Sequence, residues 1–346
     1  MIREINTLRL IFMMMIFFHH INPNYNGGAP AVAGFFIIGG FCLTLGYREK
    51  ICNNEFSFLS FVKKRIIKFY LIHWFSLLLF LLFVQRYFWI YDKKLYLNIF
   101  LLQAWFPRQD VYYSYNSPSW YLGCALFFSI IFPTIICFIE KIAKHYRILI
   151  FFCLIGLNVF TYFLISPSKW QGFLYVNPLA RLFDSFVGVF VAYEYVRLME
   201  TNFCQKLSSK VLDFFILISF SVVILLSFFL TDNILRSISF IYWFPVCLLV
   251  LSVSLRSNKN SMTVISKFLN LNLFQTASKI SLSFYLLHSV VINAYNWLPS
   301  SLLYYYNITW IKIIVAFITT LIISILSYNI IEQGLFPKLL NFFNKK

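Results

Sequence analysis

Charged side chains are scarce in this sequence of 346 residues. They make up 12% of the chain and only 12 of them are acidic, whereas 60% of the residues are hydrophobic and 21% are aromatic. So few charges cannot cover a water-facing surface in the ordinary way. The composition therefore excludes a typical soluble globular domain and predicts a chain that is surrounded by lipid.

Cysteine pairs and metal-ligand spacings are also lacking. The seven cysteines are an odd number, and none of them forms a CxxC pair or a spacing that would hold a metal. They lie in apolar runs or in loops that we place inside the cell, where thiols remain reduced. The sequence thus predicts neither a disulfide nor a metal cofactor.

No soluble domain, internal repeat or low-complexity linker is recognisable, so we expect a single transmembrane domain over residues 1–346. The first apolar run ends in His19 and His20 rather than in a small-residue cleavage site, which predicts a membrane helix and not a signal peptide. A net charge of +17 could indicate nucleic-acid binding, but the basic residues lie in short loops between apolar runs. The expected partner is the lipid bilayer, and no nucleic acid.

Ten apolar runs are long enough, or nearly so, to cross a bilayer as helices. We therefore expect an all-α integral membrane protein with about ten transmembrane helices and with both termini in the cytoplasm. The runs cover residues 6–21, 30–47, 69–86, 119–139, 148–165, 180–196, 212–230, 238–255, 281–298 and 309–331.

The distribution of Lys and Arg supports this topology through the positive-inside rule. Of the 29 basic residues, 21 fall in regions that the topology assigns to the cytoplasm. The apolar stretch 95–106 is short, and counting it as an eleventh span would place the basic loop 140–147 outside. We predict that it is an interfacial or re-entrant segment on the outer side. The 8 basic residues assigned to the outer side are Arg86, Lys93, Lys94, Arg108, Lys169, Arg181, Arg236 and Lys312.

Ionisable groups inside apolar spans are costly, which makes them functional candidates. Arg9 and His20 in the first run are eleven residues apart, and eleven steps of about 100° return to within roughly 20° of the start. They share one helix face, roughly 16 Å apart along the axis, whereas His19 points about 80° away. Imidazole can accept a proton from an alcohol and Arg can hold a phosphate. This face therefore suits a substrate that places a reacting group at His20 and a phosphate at Arg9. Alternatively, His20 sits at the interface and bonds a loop carbonyl.

A second candidate is the basic cluster that precedes the third span. Combined with Arg9 and Arg48, it would form a rim for an anionic nucleotide such as coenzyme A. Positive-inside topology explains the same cluster without any ligand, and charge alone does not separate the two interpretations. The cluster consists of Lys63, Lys64, Arg65 and Lys68.

The outer loop 105–120 is the candidate surface for an acceptor. It carries Tyr113, Asn116 and Trp120, and aromatic faces beside polar groups suit stacking on sugar rings. An ordinary aromatic belt at the membrane interface would give the same pattern.

Four further ionisable groups lie inside the apolar runs. Arg181 and Asp184 lie three residues apart on one face of the sixth helix and are expected to pair, either as a structural ion pair or with a catalytic role. His73 has no assignable role. For His288, core packing or a hydrogen bond between helices is the alternative to function.

Several segments, in matching order, resemble the acyltransferase-3 family of membrane O-acyltransferases, which modify cell-surface sugars in bacteria. The stretch from Arg9 to His20 matches the family's signature of Arg, ten residues and His. Each motif alone is weak, but their order and the number of spans together carry a resemblance over nearly the whole chain. The other segments are 35–41 (FFIIGGF), 61–70, 117–122 (SPSWYL), 280–288 (ISLSFYLLH) and 328–334 (YNIIEQG).

The resemblance implies transfer of an acyl group, usually acetyl from acetyl-CoA, from the cytoplasmic side to a sugar hydroxyl of a cell-surface or lipid-linked polysaccharide. It also implies a multi-pass protein of the bacterial cytoplasmic (inner) membrane. We expect His20 and Arg9 to be catalytic, with His20 as the general base. The expected donor site is Arg9, Arg65 and Lys68, and the expected acceptor contacts are Trp120, Tyr113, Asn116, Arg181 and Asp184.

The chain departs from the family pattern at a few positions. Gly39 stands where Ser is usual, Lys68 replaces the second Arg of an Arg-x-x-Arg pair, and Leu71 stands where Pro is common. Ala125 occupies a position that is often Glu, so no role of that Glu carries over. The competing functional class is a transporter or flippase of lipid-linked sugars; inverted repeats or broken helix pairs would favour it, and neither is visible.

Overall fold

A computed structural model describes residues 2–22, 24–85, 92–201, 206–230, 232–295 and 309–344. Across these residues the chain is helical and contains no β-strand, which confirms the predicted all-α class. Some residues that entered the sequence arguments lie outside the described part, as does the end of the predicted run 281–298. They are Arg86, Cys204, Lys345 and Lys346.

Within the described residues each predicted apolar run overlaps a helix, because a segment in lipid must satisfy its own backbone hydrogen bonds. Shorter helices occupy several of the connections. In chain order the helices are α1 (Arg3–Ile21), α2 (Gly28–Cys52), α3 (Phe58–Phe80), α4 (Lys93–Ile99), α5 (Gln109–Tyr112), α6 (Trp120–Lys141), α7 (Lys144–Leu164), α8 (Pro178–Glu200), α9 (Ser209–Phe229), α10 (Asn233–Arg236), α11 (Phe240–Ser257), α12 (Val264–Leu269), α13 (Asn272–Lys279), α14 (Ser281–Ala294), α15 (Thr309–Ser327) and α16 (Phe336–Asn344).

Seven helical stretches in the described ranges are long and apolar enough to cross a membrane, so the chain is a multi-pass membrane protein. Helix α14 is apolar but shorter. Helices α1 and α8 are long enough to cross a membrane but are not among these seven, because their charged and imidazole side chains make them less apolar. The seven stretches are Gly28–Cys52, Phe58–Gln85, Ser117–Lys141, His145–Leu164, Ser209–Phe229, Phe240–Ser257 and Trp310–Phe343.

The stretch 95–106 is not a continuous helix. It contains the last turns of α4 and a 3-10 turn at Gln103–Trp105, and α4 with 7 residues is too short to cross a bilayer. His73 on α3 hydrogen-bonds the carbonyl of Asn98 at 2.7 Å. A Cβ at Gly123 would lie only 2.6 Å from the carbonyl oxygen of Leu101. The segment therefore packs against α3 and α6, which gives His73 a structural contact.

Helices α2 and α8 cross at two glycines that allow their backbones to touch. A Cβ at Gly40 would lie 2.0 Å from the carbonyl oxygen of Ser185, and a Cβ at Gly188 would lie 2.0 Å from that of Ile37. Only residues without a side chain permit this distance. The crossing fixes α2, which lines the cavities described below.

Helix α1 runs through the bundle and packs against α2, α11, α13 and α14. Its first half is held by a hydrogen bond from Thr7 Oγ1 to the carbonyl of Leu269 (2.6 Å), and Phe12 and Ile16 lie in the main apolar core. We call the end of the bundle that contains Arg9 the basic end, and the end that contains His20 the histidine end.

Candidate functional site

A cavity of about 750 Å³ lies at the basic end. Helices α1, α2, α3 and α13 each contribute at least one cationic side chain to it, and none of the described residues that line it is acidic. Aromatic rings, among them Phe35, Phe36 and Tyr121, form its inner walls. This basic cavity is suited to an elongated ligand with an anionic end. Its cations are Arg9, Lys50, Arg65, Lys68 and Lys279.

The basic cluster at the start of α3 is divided by the helix. Arg65 and Lys68, three residues apart, line the basic cavity together with Arg9, as the donor-site prediction requires. Lys63 and Lys64 do not line it. Lys63 instead donates a hydrogen bond to the carbonyl of Phe343 (2.6 Å).

Lys68 and Arg48 each form a salt bridge, but only Lys68 also lines the basic cavity. Lys68 Nζ lies 3.2 Å from Glu332 Oε2, and Glu332 also accepts a hydrogen bond from Ser283 Oγ (2.8 Å). Arg48, which the sequence placed at the rim, is absent from the lining of the basic cavity and pairs with Glu140 at 2.6 Å. Part of the predicted rim therefore connects helices instead of facing a ligand.

Helix α2 presents small residues to the basic cavity. Gly39, Cys42 and Gly46 line it at helical spacing. A Cβ at Gly39 or at Gly46 would meet nothing within 4 Å. These glycines therefore leave open space for a ligand, whereas the neighbouring Gly40 is in contact with α8.

A second cavity of about 300 Å³ lies at the histidine end. His19 and His20 at the end of α1 line it, together with Tyr113 and Trp120 from the predicted acceptor loop. The side chain of His20 remains accessible because it faces this space. The structure thus brings the predicted base together with two of the predicted acceptor contacts. Ser117, Gln171, Tyr175, Arg236 and Tyr285 add further polar groups to the lining.

The two adjacent histidines have different partners. A ring nitrogen of His19, Nδ1, lies 2.8 Å from the carbonyl oxygen of Tyr25 in the following loop. His20 Nδ1 lies 2.8 Å from Nε2 of His288 on α14. The loop-carbonyl contact considered for His20 is therefore made by His19, and Nε2 of His20 has no hydrogen-bond partner among the described residues.

Polar groups at the histidine end form a chain beside the cavity. Ser237 Oγ donates to Gln171 Oε1 (2.7 Å), and Gln171 Nε2 donates to the hydroxyl of Tyr113 (2.6 Å). Burial raises the pKa of the Tyr113 phenol, so it stays protonated and can donate its own hydrogen. Arg236 donates to Asn26 Oδ1.

Arg181 and Asp184 form the expected ion pair on α8, almost fully buried. Asp184 also accepts a hydrogen bond from Trp243 Nε1 (2.5 Å). The Arg181 guanidinium lies over the rings of Tyr175 (4.2 Å) and Trp120 (5.6 Å), which line the histidine cavity. The pair itself lines neither cavity, so in this structure it supports residues that do.

Asn116 is also fully buried and lies behind the cavity wall. Its amide donates to Ser76 Oγ (3.1 Å) and to the carbonyl of Leu286 (3.0 Å), which joins the acceptor loop to α3 and α14. Direct contact of Asn116, Arg181 or Asp184 with a substrate stays a prediction.

Tyr285 on α14 lines both cavities. Its hydroxyl donates to the carbonyl of Pro118 (2.9 Å), and its ring lies 5.4 Å from that of Tyr121. One aromatic side chain is therefore a wall common to the basic and the histidine cavity. The face of α1 that carries Arg9 and His20 runs past it from one cavity to the other.

Sequence reasoning missed several lining residues. Gln171, Tyr175 and Arg236 follow spans at the histidine end, and their only signal was a polar or aromatic side chain in a predicted outer region. Tyr285 lies one helical turn before His288 in a segment that the resemblance did mark. Nothing in the sequence indicated that His288 would meet His20.

A family model described as an acyltransferase domain matches residues 2–329. All residues that line the two cavities fall inside this range. No curated protein and no solved structure matches the chain significantly.

Proposed function

The chain belongs to the acyltransferase-3 family, and from this premise we propose that it transfers an acyl group from acyl-CoA in the basic cavity to a sugar hydroxyl in the histidine cavity. The observation that carries the proposal is α1, a single unbroken helix that lines the first cavity with Arg9 and the second with His20. The two cavities share the wall formed by Tyr285.

The basic cavity supports a coenzyme A thioester as donor. Phosphates at one end of such a molecule would be held by the cations, most directly by Arg9, Arg65 and Lys68. Its pantetheine arm is long and weakly polar, which suits the open face at Gly39 and the aromatic walls. The thioester would then lie near Tyr285, within reach of a group in the histidine cavity.

The histidine cavity supports the acceptor chemistry. His20 Nε2 takes the proton of a sugar hydroxyl while the hydroxyl oxygen attacks the thioester carbonyl. The carbon–sulfur bond breaks as the ester forms, and the sulfur takes the proton back from His20 and leaves toward the basic cavity as the thiol. Trp120 lines this cavity as an aromatic wall for a sugar ring, and Tyr113 offers a hydrogen bond.

The proposed setting is the bacterial inner membrane, with the basic end in the cytoplasm, acetyl as the acyl group and a cell-surface or lipid-linked polysaccharide as the acceptor. The charge distribution supports this orientation. Intact cells with and without the protein, supplied with labelled acyl donor, provide the test. We expect label in the surface polysaccharide only when the protein is present. A flippase would change the amount of exported sugar without acylating it, which would contradict the proposal.

Because the two substrates are proposed to bind in different cavities, a substitution in one cavity should change KM for only one of them. Arg9→Ala should raise KM for acetyl-CoA, because it removes a phosphate contact in the basic cavity, and leave KM for the acceptor unchanged. Trp120→Ala should do the reverse. Initial rates of purified protein in nanodiscs, with each substrate varied in turn, measure both. A Trp120→Ala protein impaired mainly for acetyl-CoA, or a Tyr113→Cys protein labelled only from the cytoplasmic side, would overturn the assignment.

The divided cluster on α3 allows a matched test of the donor site. Arg65→Gln with Lys68→Gln should raise KM for acetyl-CoA at least about tenfold, since a hydrogen bond to a charged group contributes about 1.5–3 kcal/mol. Lys63→Gln with Lys64→Gln removes the same charge from residues outside the cavity and should leave KM within about twofold. Equal effects in the two double variants would assign the whole cluster to membrane orientation.

A further inference from the structure

We propose that His288 is a positioning residue that accepts a hydrogen bond from Nδ1–H of His20 and so keeps Nε2 of His20 unprotonated toward the acceptor. The inference rests on the proposed acyl transfer. Its direct observation is the distance of 2.8 Å between His20 Nδ1 and His288 Nε2. The two ring centroids lie 4.9 Å apart and the ring planes are inclined by 30°, which fits rings that meet edge to edge through these two nitrogens.

His288 is placed to orient His20 and not to touch a substrate. It is 1% exposed and lines neither cavity. The ring of Phe17 on α1 and that of Tyr285 on α14 pack against it, with centroids 6.4 and 6.0 Å away. A side chain held among rings in this way has little freedom to turn away from His20.

The shared hydrogen bond allows two arrangements of protons, and only one gives a base. If Nδ1 of His20 donates, its Nε2 has a free lone pair that can take the hydroxyl proton. If Nε2 of His288 donates instead, Nδ1 of His20 accepts and the proton of His20 sits on Nε2, where it blocks the base.

The reaction itself favours the first arrangement. When His20 takes the hydroxyl proton it becomes a cation that carries a hydrogen on both ring nitrogens. Nδ1–H can then only donate, and the bond to the neutral nitrogen of His288 becomes charge-assisted and stronger. The proton on Nε2 later passes to the departing thiolate, which restores both histidines. His288 therefore stabilises the state of His20 that forms during transfer.

Two substitutions separate positioning from packing. His288→Leu keeps an apolar side chain of similar bulk but has no acceptor, and kcat is expected to fall roughly tenfold to a hundredfold, the range of a lost charge-assisted hydrogen bond. KM for both substrates should stay within about twofold, because His288 lines neither cavity. His288→Gln restores an acceptor oxygen and should recover most of kcat. A Leu variant with normal kcat, or a Gln variant as slow as the Leu variant, would overturn the proposal.

Nitrogen NMR of histidine-labelled protein gives a readout that does not depend on turnover. The signals of His20 are assigned by their loss in His20→Gln. We expect Nε2 of His20 to be unprotonated in the unmodified protein and in His288→Gln, and both tautomers to appear in His288→Leu. A proton on Nε2 in the unmodified protein would contradict the inference, even where the Leu variant does not fold. If no acyl transfer is found but the tautomer is fixed as expected, only the proposed function fails.

Discussion

Replacing His20 with alanine is expected to abolish acyl transfer while the protein still inserts and accumulates. The substitution removes the proton acceptor that faces the histidine cavity, and general-base catalysis contributes about 10²- to 10⁴-fold to a rate. It adds no charge to the membrane helix, so insertion should be unaffected. Single-turnover transfer in nanodiscs, normalised to the amount of folded protein, measures the loss in the chemical step.

His19→Ala is the matched control for this experiment. His19 lines the same cavity, but its Nδ1 lies 2.8 Å from the carbonyl oxygen of Tyr25, and it is His20 that hydrogen-bonds His288. We expect a reduction in rate of less than about tenfold, within the ~1 kcal/mol of an ordinary hydrogen bond. If His19→Ala were inactive and His20→Ala active, the shared face of Arg9 and His20 would have no role in transfer.

Gly40→Val is expected to remove most of the folded protein. Its Cβ would lie 2.0 Å from the carbonyl oxygen of Ser185 and 3.0 Å from the nitrogen of Val189, both of which belong to the backbone of α8. Side chains could not relieve this overlap, so α2 and α8 would have to separate. Ordinary overpacking already costs about 1–3 kcal/mol. The yield of monodisperse protein after purification, and its thermal unfolding, measure the effect.

The adjacent Gly39→Val separates this contact from the general cost of changing a glycine in a helix. The intrinsic helix propensities involved are the same at both positions. At Gly39 the new side chain would enter open space in the basic cavity. We expect normal yield and a raised KM for acetyl-CoA. Equal losses of folded protein at the two positions would show that the crossing of α2 and α8 tolerates separation.

The fold followed from the sequence where a span is a long apolar run. Helices α2, α6, α9 and α11 could be placed to within a few residues because lipid demands uninterrupted helix there. The number of spans is harder to infer. Helices α1 and α8 carry the charges that serve the site, and these charges reduce the hydropathy by which a span is recognised. The close crossing of α2 and α8 at Gly40 could not be predicted, because a sequence does not distinguish glycines at crowded positions from glycines at open ones.

The candidate site was predictable along one helix and not between helices. The 3.6-residue period placed Arg9 and His20 on one face of α1, and the family motif pointed to Arg65, Lys68 and Trp120. The contact of His20 with His288 joins residues 268 positions apart, and periodicity carries no information at that range. Likewise, the sequence indicated that Arg181 and Asp184 pair, but only packing showed that the pair lies beneath Tyr175 and Trp120.

Helix α1 is unbroken from Arg3 to Ile21. The function therefore depends more on how many residues separate Arg9 from His20 than on which apolar residues these are. Inserting one residue would turn His20 by about 100° and shift it by about 1.5 Å, which takes it off the face that reaches both cavities. Inserting seven would restore the direction to within about 20° but displace it by roughly 10 Å. Changes of length in this segment therefore disconnect the two substrates, while exchanges among its apolar residues need only conserve volume.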